Sequence, residues 1–337
     1  MTAASAPALE LVCPAGSPAM LRAAVEAGAD SVYCGFRDET NARNFPGLNF
    51  SAQELRAAAD WAHERGARVL LALNTFARAD ATDLWRASAD AAAAAGVDAV
   101  IAADLAVLSY MRSNHPGIRL HLSVQAAAGT PEAIAFYARH YGVKRVVLPR
   151  VLSVEEIRSL TPEISVETEA FVYGGLCVMA EGRCALSSYA AGRSPNLSGV
   201  CSPPEAVSFT DEDGERTTRL AGFAIDQLPS GEAGGYPTLC KGRFRGGGSE
   251  AATYLFEDPV SLNAMSLLAG LAQAGVTAVK VEGRQRGRAY VARVAKAFRA
   301  AIDAIANGES PQPFQSLLGD LAEGARETTG AYRKRWR

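Results

Sequence analysis

Ala91-Ala92-Ala93-Ala94-Ala95-Gly96-Val97-Asp98-Ala99-Val100-Ile101-Ala102 holds the pattern that decides the fold: a helix-forming run, a glycine and, after three residues, a valine that opens an apolar stretch. The same arrangement recurs at Gly28–Val32, Gly142–Val146 and Gly275–Val279. Glycine suits the left-handed position that closes a helix, and the apolar run that follows reads as a buried parallel strand. Laid end to end, strands fall near residues 9–13, 31–35, 68–74, 99–104, 119–125, 145–150, 165–172 and 278–283. Helical stretches separate most of them, among them Ala52–Glu64, Thr82–Ala94, Pro131–His140 and Pro259–Ala272. Eight strands alternating with helices predict an α/β fold of the TIM-type (β/α)8 barrel class rather than an open doubly wound sheet. The first strand-to-helix turn, Cys13 to Pro18, has no dinucleotide fingerprint, and no Walker A stretch is present.

One segment breaks the rhythm. From about 174 to 258 no βα unit is visible, and the composition turns to Gly, Pro and charge. Ser208–Thr210 and Thr217–Leu220 are expected to flank a hairpin turning at Asp213-Gly214. The 337 residues therefore read as a single barrel domain with an insertion between strands seven and eight. An insertion there sits among the loops of the C-terminal face, where barrels carry their chemistry.

The formal net charge is −2, so no global basic field draws the chain to nucleic acid or anionic lipid. The basic run Arg333 to Arg337 reads as a solvated tail. Met1 to Ala8 lacks a secretory pattern, and the apolar runs are too short to span a bilayer, so a soluble, cytoplasmic protein is expected. In that reducing compartment clustered thiols favour metal or redox chemistry over disulfides.

Four of the six cysteines, Cys177, Cys184, Cys201 and Cys240, lie in the insertion with the spacing C-x6-C-x16-C-x38-C. That spacing is neither a zinc ribbon nor a ferredoxin run. Their neighbours Arg183, Arg193, Lys241, Arg243 and Arg245 are cationic, as suits a site with net negative charge. Metal or cluster binding is favoured over buried core thiols, while spacing alone leaves iron–sulfur and zinc both open. Cys13 and Cys34, on strands one and two, read as core residues.

The stretch Glu169-Ala-Phe-Val-Tyr-Gly-Gly-Leu-Cys177-Val-Met-Ala-Glu-Gly-Arg-Cys184-Ala-Leu-Ser-Ser188 resembles the signature of the collagenase-like peptidase family. Supporting segments include Thr40–Asn44, Gly47–Phe50, Asn74–Ala77, Ser123–Ala126, Arg145–Ser153, Ser194–Asn196, Gly199–Pro203, Tyr236–Arg243 and Val281–Arg286. They look most like the branch that acts in anaerobic ubiquinone biosynthesis. The resemblance implies a 4Fe-4S cluster on Cys177, Cys184, Cys201 and Cys240. It also implies a heterodimer with a UbiV-like cluster protein, a UbiT-like lipid carrier, ubiquinone precursors as substrates and prephenate as oxygen donor for ring hydroxylation. Sister families hydroxylate RNA bases, and a non-catalytic cluster-binding partner is a further alternative. Tyr173 stands where many relatives have His, and Glu181 where many have Ser, which argues against carrying over a peptidase or RNA-modifying role.

Residues at the strand ends supply a candidate pocket, because alternate barrel residues face the lumen. On strand five His121, Ser123 and Gln125 share one parity; on strand six Val146, Leu148 and Arg150 do. The candidate substrate-binding set is Asn41, Arg43, Asn74, Gln125, Arg150, Glu169, Glu282 and Arg284. Arg43, Arg150 and Arg284 suit a dicarboxylate such as prephenate. His121 reads as a lumen residue rather than a base. His63 has no second His one turn on, and no G-x-S-x-G occurs, so protease machinery is missing and no catalytic residue is assigned.

Overall fold

The computed structural model describes residues 9–177, 184–198, 200–232, 234–245, 251–322 and 326–333. Seven strands pair side by side and parallel in chain order: β1 (Glu10–Pro14), β2 (Ser31–Cys34), β3 (Arg68–Leu73), β4 (Ala99–Ala102), β5 (Arg119–Leu122), β6 (Arg145–Val147) and β7 (Glu167–Gly175). The chain then leaves the barrel. It forms an antiparallel sheet of β8 (Val207–Glu212), β9 (Glu215–Leu220) and β10 (Phe223–Pro229), then a ribbon of β11 (Arg243–Phe244) and β12 (Thr253–Tyr254). β13 (Ser261–Asn263) runs antiparallel against the end of β7. β14 (Ala278–Val281) returns parallel between β7 and β1 and closes an eight-stranded barrel.

The repeat glycines do what their position demands. Gly28, Gly96, Gly142 and Gly275 have φ of +96°, +73°, +71° and +87°, the left-handed region that ends each preceding helix. Several helices start on side-chain caps. Ser51 caps α2 (Ala52–His63) by accepting from the Glu54 amide at 3.2 Å, and the Glu54 carboxylate accepts from the Ser51 amide at 2.9 Å. Outward-facing strand residues such as Leu11, Val32, Leu71, Val100 and Leu122 pack with Leu55 and Phe298 of the helical shell into the main core. A second cluster, Val12, Tyr33, Leu70, Ala99, Ile101 and Ala278, fills the lumen. This double burial is why the strands read as continuous apolar runs.

The expected hairpin forms, with Asp213 and Gly214 at positive φ between β8 and β9, and a third strand, Phe223–Pro229, extends it. Two expectations are corrected. The stretch Pro259–Ala272 does not begin as helix: Ser261–Asn263 pairs with Tyr173–Gly175, and the helix covers Leu268–Gln273. On β6 the parity is reversed. Arg145 and Val147 face the lumen, while Val146 and Leu148 belong to the outer core.

Candidate functional site

The lumen is closed from below by charge. Glu10, Arg68, Arg119, Arg145 and Glu167 are the first residues of their strands. Arg145 meets Glu10 at 2.6 Å, Glu167 at 2.7 Å and Glu169 at 3.2 Å. Arg68 adds a contact to Glu10 at 2.8 Å, Arg119 one to Glu167 at 2.8 Å, and Lys280 one to Glu169 at 2.6 Å. Burial alone would raise the Glu10 carboxyl, but Arg145, Ser31 and Arg68 together hold it below its ordinary range. His121 is buried in this layer, and neither ring nitrogen has a partner among the described residues. Burial, with Arg145, Arg119 and Lys280 nearby, pushes it down to about 3. It is a neutral lumen residue.

A stability consequence follows from that histidine. An unfolded His titrates near about 6.5, so as pH falls the unfolded chain takes up the proton before the folded one. The stability tied to neutral His121 is full above that value and is lost as pH falls through the window from 6.5 toward 3. Between pH 7 and pH 5 the wild type should lose about 2 kcal/mol more than a His121→Leu variant, measured by urea denaturation at both pH values.

Above the charged layer lies a small pocket of about 70 Å³. Arg43, Asn74, Gln125, Arg150, Glu282 and Arg284 line it, as expected from their strand-end positions. Two other candidates fall elsewhere. Glu169 is fully buried in the ion network beneath, where strand parity aims it at Arg145 and Lys280. Asn41 is also buried; it accepts from the Arg284 guanidinium at 3.1 Å and from the Arg43 amide at 2.9 Å, so it positions cations. Asn74 accepts from the Ala42 amide at 3.0 Å and fixes the same loop. Burial pushes Arg284 down to about 10. Glu282 accepts from the Gly175 amide at 3.2 Å and lies 3.7 Å from Arg43. The Arg150 guanidinium lies over the Phe171 ring, 3.7 Å from its centroid.

Lys280, Tyr33 and Phe171 also line the pocket, and sequence reasoning missed them. The signal was present: Ala278, Lys280 and Glu282 share one parity, yet the lysine was absorbed into an apolar strand.

The pocket shares Arg43, Gln125, Arg150 and Glu282 with a cavity of about 540 Å³ that opens toward the insertion. Cys177, Cys184, Cys201 and Cys240 all line that cavity. Cys177 follows β7, Cys184 precedes α7 (Ala185–Ala191), and Cys240 sits in a single turn, Leu239–Lys241. Thr238 Oγ1 is 3.1 Å from the Cys240 sulfur. Burial pushes the Cys240 thiol up to about 11, and the neighbouring Cys177 and Cys201 add to the rise. Cys201 is raised by burial too, against the opposing pull of the Arg43 charge. The Gln125 amide oxygen accepts from Asn196 at 2.7 Å and ties the barrel to the insertion. Arg193 pairs with Glu205, and Arg243 with Asp226 at 2.6 Å, so these cations serve the insertion's own folding. Glu181 and Arg183 lie outside the described residues.

Among the described residues, no three Cys, His, Asp or Glu side chains converge as a single metal ion requires. The donor chemistry instead fits a larger thiolate-ligated group. Four thiols surround one cavity, and raised thiols that repel one another as thiolates are what a cationic centre would relieve. Cys177, Cys184, Cys201 and Cys240 are the residues that could hold it. Cys13 and Cys34 are fully buried on β1 and β2, away from the cavity.

A closed barrel with a thiol-lined mouth defines the class. Residues 16–333 match the model of peptidase family U32, and the chain belongs to that family. It is 30% identical over 310 residues to the "Collagenase" of Porphyromonas gingivalis, covering 89% of this chain and 66% of that protein. It is 30% identical over 336 residues to "tRNA hydroxylation protein P" of Escherichia coli, covering 94% and 72%. With "23S rRNA 5-hydroxycytidine C2501 synthase" of Escherichia coli it shares 29% identity over 308 residues, 88% of this chain and 40% of the synthase. Relatives in the family thus include tRNA and rRNA hydroxylation proteins. The chain spans about two thirds of the length of the first of these relatives. Among the described residues no helix is long and apolar enough to cross a membrane.

Proposed function

We propose that this chain is the iron–sulfur subunit of an oxygen-independent hydroxylation system for the ubiquinone ring, in the manner of a UbiU-type protein. Its partners would be a UbiV-like cluster protein and a UbiT-like lipid carrier, and prephenate would be the oxygen donor. The observation that carries this reading is the placement of Cys177, Cys184, Cys201 and Cys240 around one cavity that shares its wall with a cationic pocket. When bound, a 4Fe-4S cluster supplies one-electron chemistry and a local charge. The chain's own residues do the rest. Arg43, Arg150 and Arg284 bind and orient carboxylates, and Asn41 holds Arg284 in place. The Arg43 charge acts on both Cys201 and Cys177.

Hydroxylation of an RNA base is the second reading, favoured by the names of the relatives. A net charge of −2 counts against it, because phosphate binding usually leaves a basic footprint. The deciding experiment grows a strain lacking the gene without oxygen and measures ubiquinone together with hydroxylated nucleosides in tRNA and rRNA. Loss of ubiquinone, restored by the wild-type chain, supports the proposal. Normal ubiquinone with a missing hydroxylated nucleoside would replace it by the RNA reading.

A further inference from the structure

The floor of the cationic pocket is Lys280, and its charge is more than the fold requires. Lys280 is 4% exposed, on the lumen face of β14, and bounds the pocket from below. Its ammonium donates to Glu169 at 2.6 Å and lies 3.8 Å from the centroid of the Tyr33 ring. Glu169 already has Arg145 at 3.2 Å, so it would keep a cationic partner without the lysine. Replacing a buried ion pair by apolar groups is often neutral or stabilising, so stability gives no reason for a lysine here.

Charge balance points the same way. In the ion network the buried charges balance, Arg145 and Lys280 against Glu10 and Glu169, while Arg68 and Arg119 are half-exposed at the rim; the unbalanced buried charge lies in the pocket above. Buried Arg284, higher in the same pocket, makes no ion pair within 4 Å among the described residues; its hydrogen bond goes to the neutral Asn41. The faces of Tyr33 and Phe171 are turned to Lys280 and Arg150, so the two rings hold cations. A pocket of about 70 Å³ so lined admits an acidic group and excludes a whole ring or base.

We propose that Lys280 is the specificity-determining cation of this pocket, taking one carboxylate of a small dianionic ligand while Glu169 positions its ammonium. The ligand's remaining acidic group would stay higher, with Arg43 and Arg150. The inference rests on the pocket being an anion site, as the proposed function has it.

The test is calorimetric titration of anaerobically purified protein with prephenate, which carries two carboxylates, and with phenylpyruvate, which carries one. The variant is Lys280→Met with Glu169→Gln, which removes both charges of the pair and strands neither in the core. A urea midpoint close to wild type checks that it folds. It should bind prephenate at least about tenfold more weakly and phenylpyruvate within about twofold of wild type, so the preference for the dianion collapses. Arg150→Gln serves as the control for the pocket. If the double variant keeps the wild-type preference while Arg150→Gln weakens binding, Lys280 is a structural charge and the proposal is overturned. If neither variant changes binding, the pocket is not an anion site, and the underlying reading falls with it.

Discussion

Cys201→Ala is expected to leave a folded protein that retains little iron and fails to restore ubiquinone in a deletion strain grown without oxygen. Cys201 lies at the electrical centre of the thiol set. Cys177 and Cys184 both act on its thiol, and the Arg43 guanidinium favours its ionised form. In the proposed cluster site, removing one of four thiolates would leave a coordination position that a methyl group cannot fill. Loss of an outer-shell partner alone costs such sites about 10–100-fold, so loss of a ligand should exceed about 100-fold in complementing activity. The control is Cys34→Ala. That thiol is buried on β2, pushed up to about 12 by its apolar surroundings, and should cost stability without costing iron. Equal iron content and equal ubiquinone for Cys201→Ala and wild type would show that this thiol is dispensable.

Arg145→Met is expected to be the most destabilising single change in the barrel. Arg145 is 4% exposed and serves Glu10, Glu167 and Glu169 together. Without it Glu169 keeps Lys280, and Glu10 keeps Arg68, but the centre of the network is empty. Each carboxylate is left with one cation instead of two, and for Glu10 and Glu167 that cation is a half-exposed arginine at the rim, so the loss should approach the about 3–5 kcal/mol that breaking a buried pair costs. The pH dependence separates this cause from simple packing. In the wild type Glu10 and Glu167 are held below their ordinary range in part by Arg145, so its contribution is present above the unfolded carboxylate value and fades as pH falls below it. The urea midpoint of Arg145→Met should therefore lie far below wild type at pH 7, and the gap should narrow toward pH 4. A gap unchanged with pH would assign the loss to packing.

The barrel was legible because its signals are local. Each Gly28, Gly96, Gly142 or Gly275 ends a helix by its own backbone conformation, and each valine after it opens a strand buried on both faces. The parts that were not legible depend on distant partners. Ser261–Asn263 is a strand because the end of β7 lies on one side of it and Glu327–Thr328 on the other, and nothing in Pro259–Ala272 records those neighbours. The inward face of β6 follows from a parity that three residues cannot fix, so Arg145 was passed over in favour of Leu148. Arg43, Arg150, Glu282 and Arg284 were legible as charges at strand ends. Lys280 and Glu169 were not legible as a pair, since 111 residues separate them. The cysteines stood out as thiols in a polar insertion, and their shared cavity appears only once the insertion folds back over the mouth.

The central claim is that Cys177, Cys184, Cys201 and Cys240 hold one 4Fe-4S cluster. Purification without oxygen, with iron, zinc and acid-labile sulfide measured against protein and an electron paramagnetic resonance spectrum of the reduced sample, tests it most directly. A brown protein with about four iron and four sulfide per chain is expected, with a spectrum that vanishes in Cys201→Ala. A colourless protein carrying zinc, or no metal at all, would contradict it.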